Sequence, residues 1–225
     1  MKKGIILVFA ISFFVVLTQG NAMITEYDEI TKSDKADVSL FAKKMNGVYT
    51  DFKIDFQGSV FSRPFWINTT EPAWHPQIIY KDINQDGKNE LIIILTKGTG
   101  NGILEQEVHI FHIQKQKINK ELVDDQIAIV LKNVKTELLP NKATISIGKK
   151  KYTIDTKPLK IEPEHLFPDI YFGNLINFEI NDNQLIAKIG GQISPAGGSI
   201  GEVKITYMFK HKMYQAKSVE FEPSE

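Results

Sequence analysis

The chain has 225 residues with 27 basic and 27 acidic side chains, so its formal net charge is zero when histidine is neutral. Binding to nucleic acid needs a concentrated basic surface, and the lysine run at residues 149–151 is the only basic cluster, so nucleic acid is not expected as a partner. The chain contains no cysteine, which excludes disulfides, thiolate nucleophiles and cysteine-ligated zinc. Such a domain has to be stabilised by its apolar core, by a metal ion, or by both.

Residues 1–22 have the features of a secretory signal peptide. Two lysines precede an apolar run over residues 4–17, and small residues then lead to a cleavage site between Ala22 and Met23. An uncleaved membrane anchor is the alternative. A spanning helix needs roughly 20 apolar residues, however, and the apolar run over residues 4–17 is shorter than that. We therefore expect a mature chain without a transmembrane segment that is secreted, either extracellular or associated with the cell wall. The lack of cysteine also suits a bacterial exported protein.

The pattern downstream predicts one folded domain. Residues 23–35 are polar and predict a flexible lead-in, and residues 36–225 predict a single β-rich domain. The stretch 156–168 contains three prolines and is the candidate for an internal boundary, and we interpret it as a long connection within one domain rather than a true linker.

A short helix and two strands are predicted at the start of this domain. Ser33 or Asp34 would cap the helix and Gly47 would end it. Its apolar stripe would consist of Val38, Leu40, Phe41 and Met45. The apolar period then changes to two, which predicts strands over residues 48–56 and 60–67. Pro64 interrupts the second strand and favours an edge position in the sheet.

The middle of the chain predicts a three-stranded meander over residues 77–80, 91–95 and 107–113, with a glycine-rich turn at 97–102. Residues 91–95 are continuously apolar, which is typical of a strand covered on both faces.

The remainder predicts further strands and one short helix. Residues 123–134 fit either a strand or a helix capped by Asp124 or Asp125, and the helix is favoured. A hairpin is expected over residues 143–155. Four more strands are predicted over residues 170–180, 184–193, 201–210 and 213–221. The predicted fold is mainly β, an antiparallel β-sandwich or partly open barrel with one or two short helices.

A calcium-loop pattern lies between the first two strands of the meander. Side-chain oxygens recur at Asp82, Asn84 and Asp86, Gly87 follows, and Glu90 closes the stretch. Ca²⁺ takes six to eight oxygen ligands, and a chain that offers one at every second residue is able to wrap around it. Gly87 suits the sharp turn because glycine tolerates positive φ.

The twelfth position of an EF-hand loop would be Ile93 rather than an acid, so this is not an EF-hand. The pattern instead resembles the short calcium loops of the FG-GAP and VCBS-type repeat families. The resemblance implies a structural Ca²⁺ held by the side chains of Asp82, Asn84, Asp86 and Glu90 and by the carbonyl of Lys88. Gln85 stands where those families commonly have glycine, and the single copy argues against a complete propeller. The alternative is an empty Asx-type turn.

The sequence contains no recognisable catalytic motif, and it favours a non-catalytic domain that binds a protein or polysaccharide at the cell surface. One alternative is an extracellular hydrolase with dispersed acidic residues, whose candidates would be Glu105, Glu107, His109 and His75. Another is an inhibitor or accessory subunit of a secreted protein. His109 and His112 are three residues apart in a predicted strand and are expected on opposite faces.

Overall fold

The structure, a computed structural model, describes residues 26–114, 117–195 and 197–224. The signal peptide expected over residues 1–22 lies outside this part. Within it the chain forms fifteen strands, one α-helix and three short 3₁₀-helices. The strands and the α-helix are β1 (Asp28–Ser33), β2 (Val38–Met45), β3 (Val48–Phe56), β4 (Ser59–Thr69), β5 (Gln77–Lys81), β6 (Glu90–Gly100), β7 (Ile103–Gln114), β8 (Lys117–Val123), α1 (Gln126–Asn133), β9 (Val134–Leu139), β10 (Lys142–Ile147), β11 (Lys150–Asp155), β12 (Tyr171–Asn181), β13 (Gln184–Ser194), β14 (Gly197–Lys210) and β15 (Met213–Pro223).

The protein is mainly β, with its sheets packed as a sandwich, as the sequence predicts. The first four strands form a sheet in the order β1-β2-β3-β4, and β11-β10-β9 form a small sheet. The largest sheet has the order β12-β13-β14-β15-β8-β7-β6-β5. One core lies between the N-terminal sheet and strands β5–β8, and a second lies between the other face of these strands and the C-terminal half.

Strand β6 lies between the two cores. Leu91, Ile93 and Leu95 pack into the core of the N-terminal sheet, and Ile92 and Ile94 pack into the other core. All five side chains are at most 1% exposed. This confirms the prediction, from the continuous apolar run, of a strand covered on both faces.

Two predictions at the N-terminal end are wrong. The segment expected to form a helix is strand β2, in which Val38, Leu40 and Ala42 are buried and the residues between them are partly exposed. This alternation has the period of a strand, and pairing with β3 on one side and β1 on the other fixes it. Residues 23–35 are not simply a flexible lead-in, because β1 begins at Asp28 within them.

Most other predicted elements are present. β4 is an edge strand by its hydrogen bonding, as Pro64 indicates. Helix α1 begins where expected, and the carboxylate of Asp125 caps it by accepting a hydrogen bond from the backbone N–H of Ala128 at 2.7 Å. The hairpin β10–β11 and the four final strands also agree with the sequence. The glycine-rich turn is shorter than predicted, because β6 extends to Gly100.

Strand β7 has an opening along one edge. It pairs with β12 only at Leu104 and Glu105, and with β8 only from Ile110 onward. Residues 106–109 therefore pair with β6 on one side and, in the part of the chain that the structure describes, with no strand on the other. A cavity of about 590 Å³ lies at this opening, between β7, β8, β12 and the start of α1.

Candidate metal centre

The 82–90 loop connects β5 to β6, and the last ladder pair between these strands, Lys81 with Glu90, closes it. The chain turns sharply because Gln85 and Gly87 both have positive φ, 65° and 85°. Asp82 holds this turn, since one of its carboxylate oxygens accepts from the backbone N–H of Gln85 at 2.7 Å and the other from that of Gly87 at 3.0 Å. Gly87 thus has the conformation that the sequence predicts.

The next two predicted ligands also bond the loop backbone. Asn84 Oδ1 accepts from the N–H of Asp86 at 2.9 Å, and Asp86 Oδ1 accepts from the N–H of Lys88 at 2.9 Å. These are Asx-type bonds, so the turn described by the alternative to calcium is present. They do not preclude an ion, because each of these oxygens has two lone pairs and an N–H group uses one.

Glu90 lies at the base of the loop and is fully buried. Its carboxylate accepts hydrogen bonds from the backbone N–H groups of Ile83 and Asn84, at 2.9 and 3.3 Å, and from the Asn84 side-chain amide at 2.9 Å. Burial nevertheless raises the pKa of Glu90, and the negative charges of Asp86 and Asp82 add to the effect. A cation beside Glu90 would offset this penalty, and the side-chain oxygens of the loop are of the kind that Ca²⁺ takes as ligands.

The structure brings a histidine to this site that the sequence did not assign to it. His112 on β7 lies beside Glu90, with 3.8 Å between His112 Nδ1 and Glu90 Oε1. One ligand atom each from Asp86, Glu90 and His112 lie within 4.8 Å of one another. Asp82 is not part of this group. Side chains from the loop and from two neighbouring strands therefore converge on one point.

Glu121 and Tyr214 extend the group away from the loop. The two residues approach each other because β15 pairs with β8 at Tyr214 and Val123. Burial raises the pKa of Glu121 to about 7, and the nearby charge of Glu90 contributes. Burial and the charge of Glu121 also raise the pKa of Tyr214. Glu121 Oε2 and the Tyr214 hydroxyl are both buried and interact with each other, and in the part of the chain that the structure describes neither has a further hydrogen-bond partner.

No local sequence signal marks His112, Glu121 or Tyr214 as site residues. His112 and Glu121 lie on the neighbouring strands β7 and β8, and Tyr214 lies on β15, far along the sequence, so the pairing of these strands brings the three residues together.

The acidic candidates for hydrolysis lie at the rim of the cavity. Glu105 and Glu107 both line it, and Lys97 lies between them, with its Nζ 2.9 Å from Glu105 Oε1 and 3.9 Å from Glu107 Oε2. These contacts raise the pKa of Lys97, its hydrogen bond to Glu105 most of all. The lysine thus neutralises much of the charge of the two carboxylates.

The histidine candidates do not join those acids in an open cleft. His109 is 1% exposed and stacks on Trp66, so its ring is covered, although its Nε2 lies 3.6 Å from Glu107 Oε1. His75 packs edge-on against Tyr49 elsewhere in the fold. His109 and His112 do point to opposite faces of β7, as the sequence predicts.

No helix in the described residues is long and apolar enough to span a bilayer. No protein-family model matches the chain, and neither the curated proteins nor the solved structures provide a match.

Proposed function

We propose that the protein is an exported β-domain that binds one Ca²⁺ ion in its 82–90 loop and uses the ion to stabilise its fold. The placement of Glu90 carries the proposal, because this fully buried carboxylate lies within reach of Asp86 and is further destabilised by the charge of Asp82. Burying uncompensated charge costs several kcal/mol in typical proteins. A dication among these oxygens would offset that cost.

Each of the five predicted ligands would supply an oxygen to the ion. Asp82, Asn84, Asp86 and Glu90 would supply side-chain oxygens, and Lys88 would supply its backbone carbonyl. Calcium accepts the irregular geometry of such a loop and is usually bound through oxygen alone. The ion would join β5 to β6 and so act as a structural clip, because the loop connects two strands of the largest sheet.

We also infer a binding role outside the cell, with a protein or polysaccharide at the cell surface as the partner. The signal-peptide features of residues 1–22 support export. The cavity beside β7 supports binding, because it combines charged groups such as Glu105 and Lys120 with the aromatic side chains of Tyr171 and Phe172. Clefts that mix apolar walls with a few polar groups are the usual form of a ligand site.

Calorimetric titration of the metal-free protein with Ca²⁺ tests the proposal. We expect one ion per chain, and we expect Asp82→Asn to weaken the affinity by at least about tenfold because it removes a charged ligand. Lys88→Ala is the matched control, since it keeps the backbone carbonyl and should keep the affinity. Absence of binding, or equal binding by Asp82→Asn, would refute the calcium site.

A further inference from the structure

We propose that Asp86, Glu90 and His112 form a site for a first-row transition-metal dication, for which Zn²⁺ is the test ion, with Glu121 as the fourth group. The proposal does not depend on calcium binding, because His112 and Glu121 are outside the calcium-loop pattern. It assigns a ligand to the part of the buried cluster that the loop leaves unexplained.

The distances are close to those of a coordinated ion. Ligands about 2.1 Å from a tetrahedral zinc lie roughly 3.4 Å from one another. Glu90 Oε1 and His112 Nδ1 are 3.8 Å apart, and Asp86 completes a group whose ligand atoms lie within 4.8 Å of one another. Small side-chain rotations would bring the three atoms to coordination distance. Glu90 and His112 are held by β6 and β7, so little rearrangement of the backbone is required.

The imidazole of His112 indicates which class of metal would bind. Calcium is bound through oxygen, whereas imidazole nitrogen together with carboxylate suits zinc and other first-row transition metals. The group whose ligand atoms lie within 4.8 Å of one another has one histidine and two acids, and Glu121, which lies outside it, would have to turn toward the ion to complete the four ligands that are usual for zinc. His112 is 24% exposed, which leaves a route for the ion from solvent.

A second observation, independent of the three ligands, also indicates a cation. The Tyr214 hydroxyl, in a residue that is 1% exposed, and Oε2 of Glu121 are buried next to each other, and within the described residues neither has a further hydrogen-bond partner. Buried polar groups normally have partners. A metal bound by Glu121 would give that carboxylate a partner. The carboxylate would then be oriented to accept a hydrogen bond from Tyr214, as outer groups commonly orient metal ligands.

The two cations would compete, because both use Asp86 and Glu90, but each has ligands of its own. Asp82 belongs only to the calcium loop and His112 only to the transition-metal group. Substitution of His112 therefore tests the transition-metal group without removing a ligand of the calcium loop.

The test is calorimetric titration of the metal-free protein with Zn²⁺ and, separately, with Ca²⁺. We expect His112→Gln to weaken zinc binding by at least about tenfold and to leave any calcium binding unchanged. His165→Gln, which removes an exposed histidine, is the matched control and should bind zinc like the wild type. Unaltered zinc binding by His112→Gln, or an equal loss in His165→Gln, would overturn the proposal.

A measurement on the wild-type protein does not depend on whether the variants fold correctly. The imidazole proton resonances of His112 should shift when Zn²⁺ is added. Unchanged resonances would show that His112 is remote from the ion and would overturn the proposal. Zinc binding that depends on His112 but occurs without calcium binding would refute only the proposed calcium function. Calcium binding without a zinc effect at His112 would refute only the present proposal.

Discussion

The imidazole of His109 lies flat on the indole of Trp66, with 4.1 Å between the ring centroids and 10° between the ring planes. The His109 ring is 1% exposed, and burial lowers its pKa to about 3. The positive charges of Lys120, Arg63 and Lys97 act in the same direction. The stack therefore exists with a neutral imidazole, and protonation would place a charge in the core of the N-terminal sheet.

This stack predicts a loss of stability in acid. The folded-state pKa of His109 is below its ordinary value of 6.5. Its contribution to the free energy of unfolding is therefore complete above pH 6.5 and is lost as the pH drops toward 3. A group protonated only in the unfolded state lowers the free energy of unfolding by about 1.4 kcal/mol per pH unit. Urea unfolding at pH 7 and pH 5 should show a loss of about 2 kcal/mol from this group.

Substitution isolates the contribution of His109 from that of the carboxylates. His109→Phe keeps a ring against Trp66 but has no proton to gain, so its stability should fall less between pH 7 and pH 5 than that of the wild type. The exposed His165 serves as the control, and His165→Gln should retain the wild-type pH dependence. An identical pH dependence in His109→Phe and the wild type would contradict the assignment.

Substitution of glycine by alanine should lower the free energy of unfolding by different amounts at two positions of the glycine-rich strand β14. Gly201 and Gly197 have similar φ, 133° and 130°, which disfavour any side chain, but a Cβ at Gly201 would lie 2.3 Å from the backbone oxygen of Glu222, whereas Gly197 faces open space. We expect Gly197→Ala to cost about 1–3 kcal/mol from backbone strain. Gly201→Ala should cost about 1–3 kcal/mol more from the clash. Chemical unfolding of both variants measures the difference, and equal losses would show that the close approach to β15 is unimportant.

The signal-peptide features predict a defined mature terminus. Expression of the whole chain in a bacterial host that exports it should yield a protein that begins at Met23, because the cleavage site ends at Ala22. Intact-mass spectrometry of the exported protein gives the terminus directly. A product that keeps residues 1–22 would favour the uncleaved membrane anchor instead.

The sequence predicts elements well where one apolar period dominates and poorly where two periods compete. The run at residues 91–95 has only one interpretation, and the structure agrees with it. In β2, Val38 and Leu40 fit a strand, but Phe41 and Met45 also complete a helical stripe. Pairing with β1 and β3 decides between the two periods, and that pairing is not visible in the local sequence.

Prediction of the metal centre from the sequence is limited in a similar way. The loop ligands were predicted because they are close in the sequence, whereas His112 reaches Glu90 only through the register of the β6–β7 hairpin. At the turn Gly100 pairs with Ile103, and the register shifts by one residue between Thr96 and Gly98. Without this bulge Ile113 rather than His112 would lie opposite Glu90. A one-residue irregularity of this kind has no clear sequence signature.

We propose that calcium in the 82–90 loop stabilises the fold, and thermal unfolding with and without the ion measures this stabilisation. A ligand at a hundredfold excess over its Kd adds about 2.7 kcal/mol to the free energy of unfolding. In a domain of this size that corresponds to a rise in Tm of about 5–10 °C. We predict that EDTA lowers the Tm by this amount and that excess Ca²⁺ restores it. An identical Tm in EDTA and in saturating Ca²⁺ would show that the ion does not stabilise the fold.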